Sequence, residues 1–482
     1  MPSRPGAKEE LDEQVLPGAG FFPVSSPSDP ESGPHATVAA LEATVARARS
    51  SPLYAERLRE VRIRHLDDLH GIPLTTRADL QRAGPHGTRA VPLARICHYG
   101  ETSGTTGASN STWLTSEDLQ RDARAIAARH PGVFGPGRIL LNRFPFMAAP
   151  AHLVQLIAQA GGGVAVPAGN INWDVPFPRA LDLARTTGAQ VLAGLPIEPV
   201  VLGQIASARG LDPAEATSFD TFFLGGAPLP PALRERLARV WRVRVVELYG
   251  STETMLLGTG CEEGTLHLET DLAYAEVLDR DSGAPAAAGA EGRLVVTTLG
   301  IEGSPLVRFE TGDVVRRLPP CKCGDPRPGI VVLGREADVV ELAGQRLHAH
   351  DIIDAAAEAA DSLGSSVFFV VVLPDRLLVR IEGVGGGDPT PRLNQRLAVP
   401  IEVETVRPND LLDVELLCRS PHVYKPVLLS DWRGEGRRIL SVSEGMIEWP
   451  RVTAAEGWRW LQRGLRRSSR RRRLKLGPTG GP

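Results

Sequence analysis

Cysteine is scarce in this chain, with five among 482 residues, and that scarcity excludes the disulfide framework of a small secreted scaffold. Two of the five, Cys321 and Cys323, stand too close to pair with each other and read instead as ligands. Long apolar runs are missing too. No stretch of eighteen or more apolar residues occurs, so no membrane span is expected. The opening residues, MPSRPGAKEELDEQVLPGAGFFPVSS, contain no apolar core of signal-peptide length, and a cytoplasmic protein is expected. An excess of positive charge is also absent. The 54 basic and 57 acidic residues leave a formal net charge of -3, which argues against a specific nucleic-acid binder, because phosphate neutralisation needs an extended positive surface. One local exception, the run of arginines at 466–475, reads as a solvated tail, with RNA, an acidic carrier protein or a membrane surface as alternative partners.

What is present is globular: 42% hydrophobic and 23% charged residues, in a chain longer than one core usually supports. Residues 1–36, rich in Pro, Gly, Ser and acid, are expected to be a disordered extension. An amphipathic helix broken near Ser51-Pro52 is expected over 37–60, and two capped helix starts over 66–80. Ser116 is the expected N-cap of a helix over 116–129, with Glu117 and Asp118 at its positive end. Apolar runs at 138–144, 163–166, 191–193, 221–224 and 243–248, spaced by helical segments, predict a parallel sheet flanked by helices, with ligands beyond its carboxyl ends. A β-rich subdomain follows over 265–310, and then a strand over 305–313 that stops at a turn bearing Asp313. From 334 a small α+β domain is expected: a strand at 338–341, a helix at 350–360, paired strands at 367–373 and 377–381, and a mobile glycine loop from 383. The fold class is therefore α/β, with a large domain over 37–333, a small mobile domain over 334–432 and an extra segment from 433. Trp449, Trp458 and Trp460 in that segment suit a docking helix.

Three loops carry the chemistry. The stretch Tyr99-Gly-Glu-Thr-Ser-Gly-Thr-Thr-Gly-Ala-Ser-Asn-Ser-Thr112 alternates glycine with hydroxyls. Thr102, Ser103, Thr105 and Thr106 offer hydroxyls and amides to an anion, and Gly104 and Gly107 let the backbone close on it. Alone, it is either a phosphate cradle or a solvated turn. In Phe222-Phe-Leu-Gly-Gly-Ala-Pro-Leu229 and Val245-Val-Glu-Leu-Tyr-Gly-Ser-Thr-Glu253, an apolar strand empties into a small-residue turn where a flat ligand can approach backbone. Each is also compatible with an ordinary strand exit.

Taken with RFETGD at 308–313 and GREADVVELAGQRL at 334–347, these loops resemble, in order and spacing, the adenylate-forming enzymes, and most closely their phenylacetate-CoA ligase branch, over roughly residues 40–430. The resemblance implies a two-step reaction in which a carboxylate attacks the α-phosphate of ATP and the acyl adenylate then passes its acyl group to a thiol. It implies that Ser103, Gly104, Thr105, Thr106 and Gly107 hold the leaving phosphates. Gly225, Gly226, Ala227, Tyr249, Gly250 and Ser251 would bind the nucleotide around the Tyr249 ring. Thr252 would hydrogen-bond the α-phosphate, Glu253 would hold Mg²⁺, Asp313 the ribose hydroxyls, and Arg335 would stand near ribose or phosphates. Lys425, in Arg419-Ser-Pro-His-Val-Tyr-Lys-Pro426, matches the lysine that offsets charge on the phosphate. Ala337, Asp338 and Gly344 fall on the hinge and the CoA side.

The chain departs from the family in two places. Ala108 stands where a lysine often follows SGTTG, and Ala337 replaces the first Asp of the usual Gly-Arg-x-Asp-Asp hinge.

Cys261, His267, Cys321 and Cys323 form a second constellation, three thiols and an imidazole suited to tetrahedral Zn²⁺ in a closed structural site; two unrelated thiol sites are the alternative, and the resemblance favours zinc. Cys97 and Cys418 read as packed thiols. Phe144, Phe146, Met147 and His152 are candidates for an acyl pocket for an aromatic or other apolar acid. The expected partners are a small carboxylic acid, ATP and CoA, with a homodimer possible in principle. Transfer to a carrier-protein thiol or an amine, and a non-catalytic nucleotide- or acyl-binding protein, are the competing functions.

Overall fold

A computed structural model describes residues 34–102, 109–145, 149–169, 175–383, 386–420, 423, 425–434 and 438–447. The expectations for 1–33, for Ser103, Gly104, Thr105, Thr106 and Gly107, for Phe146 and Met147, and for the Trp and Arg tail fall outside the described residues.

A short hairpin comes first, β1 (Ile96–Glu101) and β2 (Ser111–Thr115), with Glu101 opposite Ser111. The apolar runs that follow form β3 (Ile139–Asn142), β4 (Val164–Pro167), β5 (Val191–Gly194), β6 (Thr221–Gly225) and β7 (Arg244–Ser251), parallel in the order β4-β3-β5-β6-β7. Strands β5 and β6 are buried along their whole length. Helices cover both faces of such a sheet, so its central strands read as continuous apolar runs rather than alternating ones.

The sheet does not stop at β7. It continues antiparallel through β8 (Met255–Gly260), β9 (Leu266–Leu268), β10 (Ala273–Leu278), β11 (Glu291–Thr298), β12 (Phe309–Arg317) and β13 (Gly329–Arg335), ordered β7-β8-β9-β13-β12-β11-β10. The expected β-rich subdomain is thus the antiparallel half of one eleven-stranded sheet, with its own core of Leu257, Leu294, Val296, Phe309, Val315 and Ile330.

Beyond β13 lie a small hairpin, β14 (Val340–Leu342) and β15 (Gln345–Leu347), and a four-stranded sheet of β16 (Phe368–Val372), β17 (Leu377–Glu382), β18 (Ile401–Val406) and β19 (Leu429–Asp431), ordered β18-β17-β16-β19. Helices Ala349–Ser362 and Thr390–Leu397 pack on this sheet. The first of them also packs on helix Pro231–Trp241 from the large sheet. There Asp361 accepts from Arg236 Nη1 at 2.7 Å and from Arg239, and the Ala232 amide donates to Asp354 Oδ1 at 3.0 Å.

Local details correct four expectations. Thr115, not Ser116, caps helix Ser116–Arg129: its hydroxyl accepts from the Asp118 amide at 3.2 Å while Asp118 accepts from the Thr115 amide at 2.8 Å. Asp313 lies inside β12 rather than at a turn, because β12 runs on to Arg317 and its pairing with β13 shifts register between Val314 and Val315. Residues 336–338 form a 3₁₀ turn, and the strand begins only at Val340. Cys97 is exposed, being on the solvent side of the two-stranded β1–β2 ribbon, whose other side packs on helices.

Candidate active site

Residues i, i+2 and i+4 of a strand share one face. On β7 that rule aligns Glu247, Tyr249 and Ser251, and all three line a cleft of about 590 Å³ at the carboxyl ends of the parallel strands. The turn after β6 forms the facing wall through Gly226 and Ala227. Gly226 has a φ of +77°, and a Cβ there would lie 3.9 Å from Lys425 Nζ and 3.2 Å from Leu195. Glycine therefore relieves backbone strain and keeps the lysine's approach open. Strand β12 contributes Thr311 and Asp313, and β13 contributes Gly334 and Arg335; antiparallel register sets Asp313 directly opposite Arg335.

The Tyr249 hydroxyl donates to Asp313 Oδ2 at 2.7 Å. Burial raises the Asp313 carboxyl above its ordinary range, against the pull of Tyr249, Arg335 and Arg77, and burial together with the Asp313 charge raises the Tyr249 phenol well above its own. Lys425 is exposed along its length, yet its ammonium end hangs over this cleft; desolvation first, and then Arg335, lower its pKa, with Glu253 and Asp313 opposing. The cleft therefore gathers Arg77, Arg234, Arg335 and Lys425 beside the carboxylates of Glu247, Asp313 and Asp338, a lining with charged groups of both signs for a polar ligand.

At the other end, the Thr102 amide donates to the Asn110 carbonyl at 3.0 Å and the Asn110 amide donates to Thr102 Oγ1 at 2.9 Å. These bonds pinch together the two ends of the segment that contains 103–108. Asn110 Nδ2 donates to Glu253 Oε1 at 2.9 Å, while Glu253 Oε2 is buried without a hydrogen-bond partner among the described residues. Thr252, also buried, adjoins β1, its methyl 3.2 Å from where a Cβ on Gly100 would lie.

Of the residues singled out in the sequence, Gly226, Ala227, Tyr249, Gly250, Ser251, Asp313, Arg335, Asp338 and Lys425 line the one cleft. Gly225 lies in β6 just behind it, and Phe144 is buried beneath Gly226. Ala337 is exposed on the 3₁₀ turn, and Gly344 on the tight turn between β14 and β15. His152 is not among the cleft's lining residues; its ring stacks on His98 at 5.1 Å.

Three charged residues were not singled out. Arg77, first residue of helix Arg77–Ala83, reaches the cleft because Thr75 bridges to Phe309 on β12, and its guanidinium lies 4.0 Å from Glu253. Glu247 is pushed up to about 7 by burial, with Arg234 as its opposing charge. Period-two reading of β7 back from Tyr249 would have found Glu247. No local signal marks Arg77 or Arg234.

The Cys and His residues also meet. Ligand atoms of Cys261, His267, Cys321 and Cys323 all lie within 4.8 Å of one another. The Cys261 and Cys321 sulfurs are 3.8 Å apart, which matches the ~3.8 Å edge of a tetrahedron with bonds of about 2.3 Å. His267 Nδ1 donates to the Arg327 carbonyl at 2.8 Å, leaving Nε2 free to face Cys323 Sγ at 3.3 Å. Although burial opposes it, hydrogen bonds from the Cys323 backbone and from Thr265 bring the Cys321 thiol down to about 6. The donor set and its spacing fit a zinc ion.

A profile of the AMP-binding enzyme family matches residues 32–302. The chain is 30% identical over 296 residues to the phenylacetate-coenzyme A ligase of Thermus thermophilus, a match covering 59% of this chain and 65% of that protein. It is 27% identical over 272 residues to the phenylacetate-coenzyme A ligase of Escherichia coli, covering 53% and 59%. The chain thus spans less than two thirds of the length of these relatives. Among solved structures, 2-hydroxyisobutyryl-CoA ligase in its postadenylation state with 2-HIB-AMP superimposes with a TM-score of 0.73 at 21% identity, covering 88% of this chain and 95% of that one. The same ligase in the thioesterification state gives 0.59 over the same coverage. At that identity the likeness speaks for the fold. Among the described residues, no helix is long and apolar enough to cross a membrane.

Proposed function

The chain belongs to the AMP-binding enzyme family, and from that premise we propose that it is an ATP-dependent ligase that activates a carboxylic acid as its acyl adenylate and transfers the acyl group to CoA. One observation carries the reading: a single cleft gathers the hydrogen-bonded Tyr249–Asp313 pair with Arg335, Arg77 and Lys425. Asp313 would accept the ribose hydroxyls, Tyr249 would flank the base, and the Glu247 carboxylate would face the base's polar edge. The acid's carboxylate oxygen attacks the α-phosphorus and pyrophosphate leaves. Lys425 and Thr252 would offset the negative charge that grows on the α-phosphate. The thiolate of CoA then attacks the acyl carbon and AMP leaves.

Glu253, with one buried oxygen unpartnered among the described residues, would hold Mg²⁺, which when bound neutralises phosphate charge. Arg77 lines the cleft 4.0 Å from Glu253, and since the sequence has Ala108 where a lysine often follows SGTTG, its guanidinium would supply a phosphate-side cation from a different element. The presence of this second cation weighs against a non-catalytic binding protein. Cys261, His267, Cys321 and Cys323 would hold a structural Zn²⁺, and five unpaired cysteines suit a reducing compartment such as the cytoplasm.

The division into a large unit and a small one hinged at 335–338 belongs to the same reading. The small unit would carry Lys425 into the cleft for the first step and withdraw it for the second. Incubation with ATP, CoA and a panel of aryl and short alkyl acids, read by mass spectrometry, tests the function. Acyl-CoA and AMP in equal amounts are expected for at least one acid. AMP formed with transfer only to a carrier-protein thiol or an amine would overturn the choice of CoA.

A further inference from the structure

The Cys/His cluster and the nucleotide cleft share a wall. Gly264, Thr265 and Leu266, from the loop between Cys261 and His267, line the cleft, as does Leu318 on the chain leading from β12 to Cys321. The contacts form an unbroken series. The Gly264 amide donates to the Cys261 carbonyl at 3.0 Å, and the Cys261 amide donates to the Thr265 carbonyl at 2.9 Å. The Cys321 thiol lies 3.2 Å from Thr265 Oγ1; once Cys321 is a thiolate, the threonine hydroxyl becomes the donor. From the same loop, the Gly264 carbonyl accepts from Arg234 Nη1. The backbone of Gly264 has a φ of +75°, and a Cβ there would collide with that guanidinium. Arg234 lines the cleft together with Glu247, the carboxylate on the same strand face as Tyr249, and its ion pair, at 3.9 Å, is with Glu235 on its own helix.

We propose that the metal-bound cluster positions the base end of the nucleotide cleft, acting through Thr265 and the Gly264 carbonyl to hold the Arg234 guanidinium in the cleft wall. Arg234 and Thr265 are positioning residues. The inference rests on the ligase reading and on zinc in the cluster, and goes beyond both in making the metal a determinant of ATP affinity rather than of folding alone. The argument is geometric. Four ligands gathered on one ion immobilise the 261–267 loop, and that loop supplies the acceptor that orients Arg234. Without the ion, the three thiols and the imidazole relax apart, the Gly264 carbonyl is no longer fixed, and the Arg234 guanidinium loses its anchor.

The test uses the full chain as purified. Zinc content is measured first, and the dissociation constant for ATP is then measured by calorimetry before chelation, after it and after zinc is restored, with circular dichroism reporting the fold. Chelated protein that keeps its far-ultraviolet spectrum is expected to bind ATP at least fivefold more weakly and to recover with zinc. Thr265→Val is expected to retain its zinc yet show a raised KM for ATP, with kcat and the KM for the acid little changed, and Thr265→Ser is expected to restore the parent value. Arg234→Gln should raise the same KM and no other. Unchanged ATP affinity in folded, zinc-free protein, or in zinc-loaded Thr265→Val and Arg234→Gln, would overturn the positioning role and leave the ligase reading standing. Parent protein that carries no zinc would overturn it as well. Zinc-loaded parent protein that fails to bind ATP at all would instead overturn the ligase reading.

Discussion

In the proposed reaction, Lys425 is the residue on which the first half-reaction would turn. Its ammonium is held over the cleft by a segment of the small unit, where desolvation and Arg335 lower its pKa. Losing a charge that acts on the transition state costs far more than losing one that only binds. Lys425→Ala should therefore slow adenylation by about a hundredfold, as removal of one such electrostatic donor typically does, while calorimetry finds the ATP dissociation constant changed by no more than a few-fold. Arg77 is the parallel case on the phosphate side. Arg77→Ala should reduce kcat/KM for ATP by roughly tenfold or more, and Arg77→Lys should recover much of it, since the charge and not the fork is what the loop lacks; steady-state kinetics with ATP varied reads both. The Glu247 carboxyl, held at about 7, gives a pH signature. It is largely protonated below that value and ionised above it, so if the carboxylate accepts a hydrogen bond from the base, the KM for ATP falls as pH rises through about 7. Glu247→Gln should flatten that limb of the profile.

At the scale of elements, much of the molecule was legible in the sequence. The central strands β5 and β6 announce themselves as apolar runs because they are buried along their whole length, and each ends in a glycine. The Cys-x-Cys pair and the cysteine and histidine upstream were legible as a cluster because so few residue types serve as soft ligands. What could not be read depended on contacts between distant segments. Asp313 seemed to end a strand because its bulge is defined only by β13, and Arg77 seemed a packing residue because a bridge from Thr75 to Phe309 brings it in. The cap at Thr115 rather than Ser116 was a choice between adjacent hydroxyls, decided by the reciprocal bond with Asp118, which also accepts from the amides of Glu302 and Gly303. One element-level contact governs the proposed hinge. Asp361 receives both Arg236 and Arg239 across the packed helices. Partly exposed pairs of this kind are each worth about 0.2–1 kcal/mol, enough together to bias a two-state arrangement by several-fold. Asp361→Ala should slow adenylation and leave the transfer step, assayed from preformed acyl adenylate and CoA, unaffected or faster. Equal slowing of both steps would show that the contact does not select between arrangements.

For the whole molecule, one sheet explains why the parts meet. Its parallel half leads into the turn at Gly226 and the end of β7 at Gly250 and Ser251, its antiparallel half turns Asp313 and Arg335 toward the same cleft, and Lys425, C-terminal to the four-stranded sheet's first three strands, lines it too. The cluster of Cys261, His267, Cys321 and Cys323 sits where β9 and β13 pair, within that same wall. A fold so arranged would, in the proposed reaction, bring nucleotide, acid and cation to one point, and the direct measure of that reaction is the reverse of its first step. Radiolabelled pyrophosphate should appear in ATP only when a suitable carboxylic acid is present, at a rate that Lys425→Ala lowers by about a hundredfold. No exchange with any acid across a broad aryl and alkyl panel, by protein that binds ATP, would contradict the claim that this cleft forms an acyl adenylate.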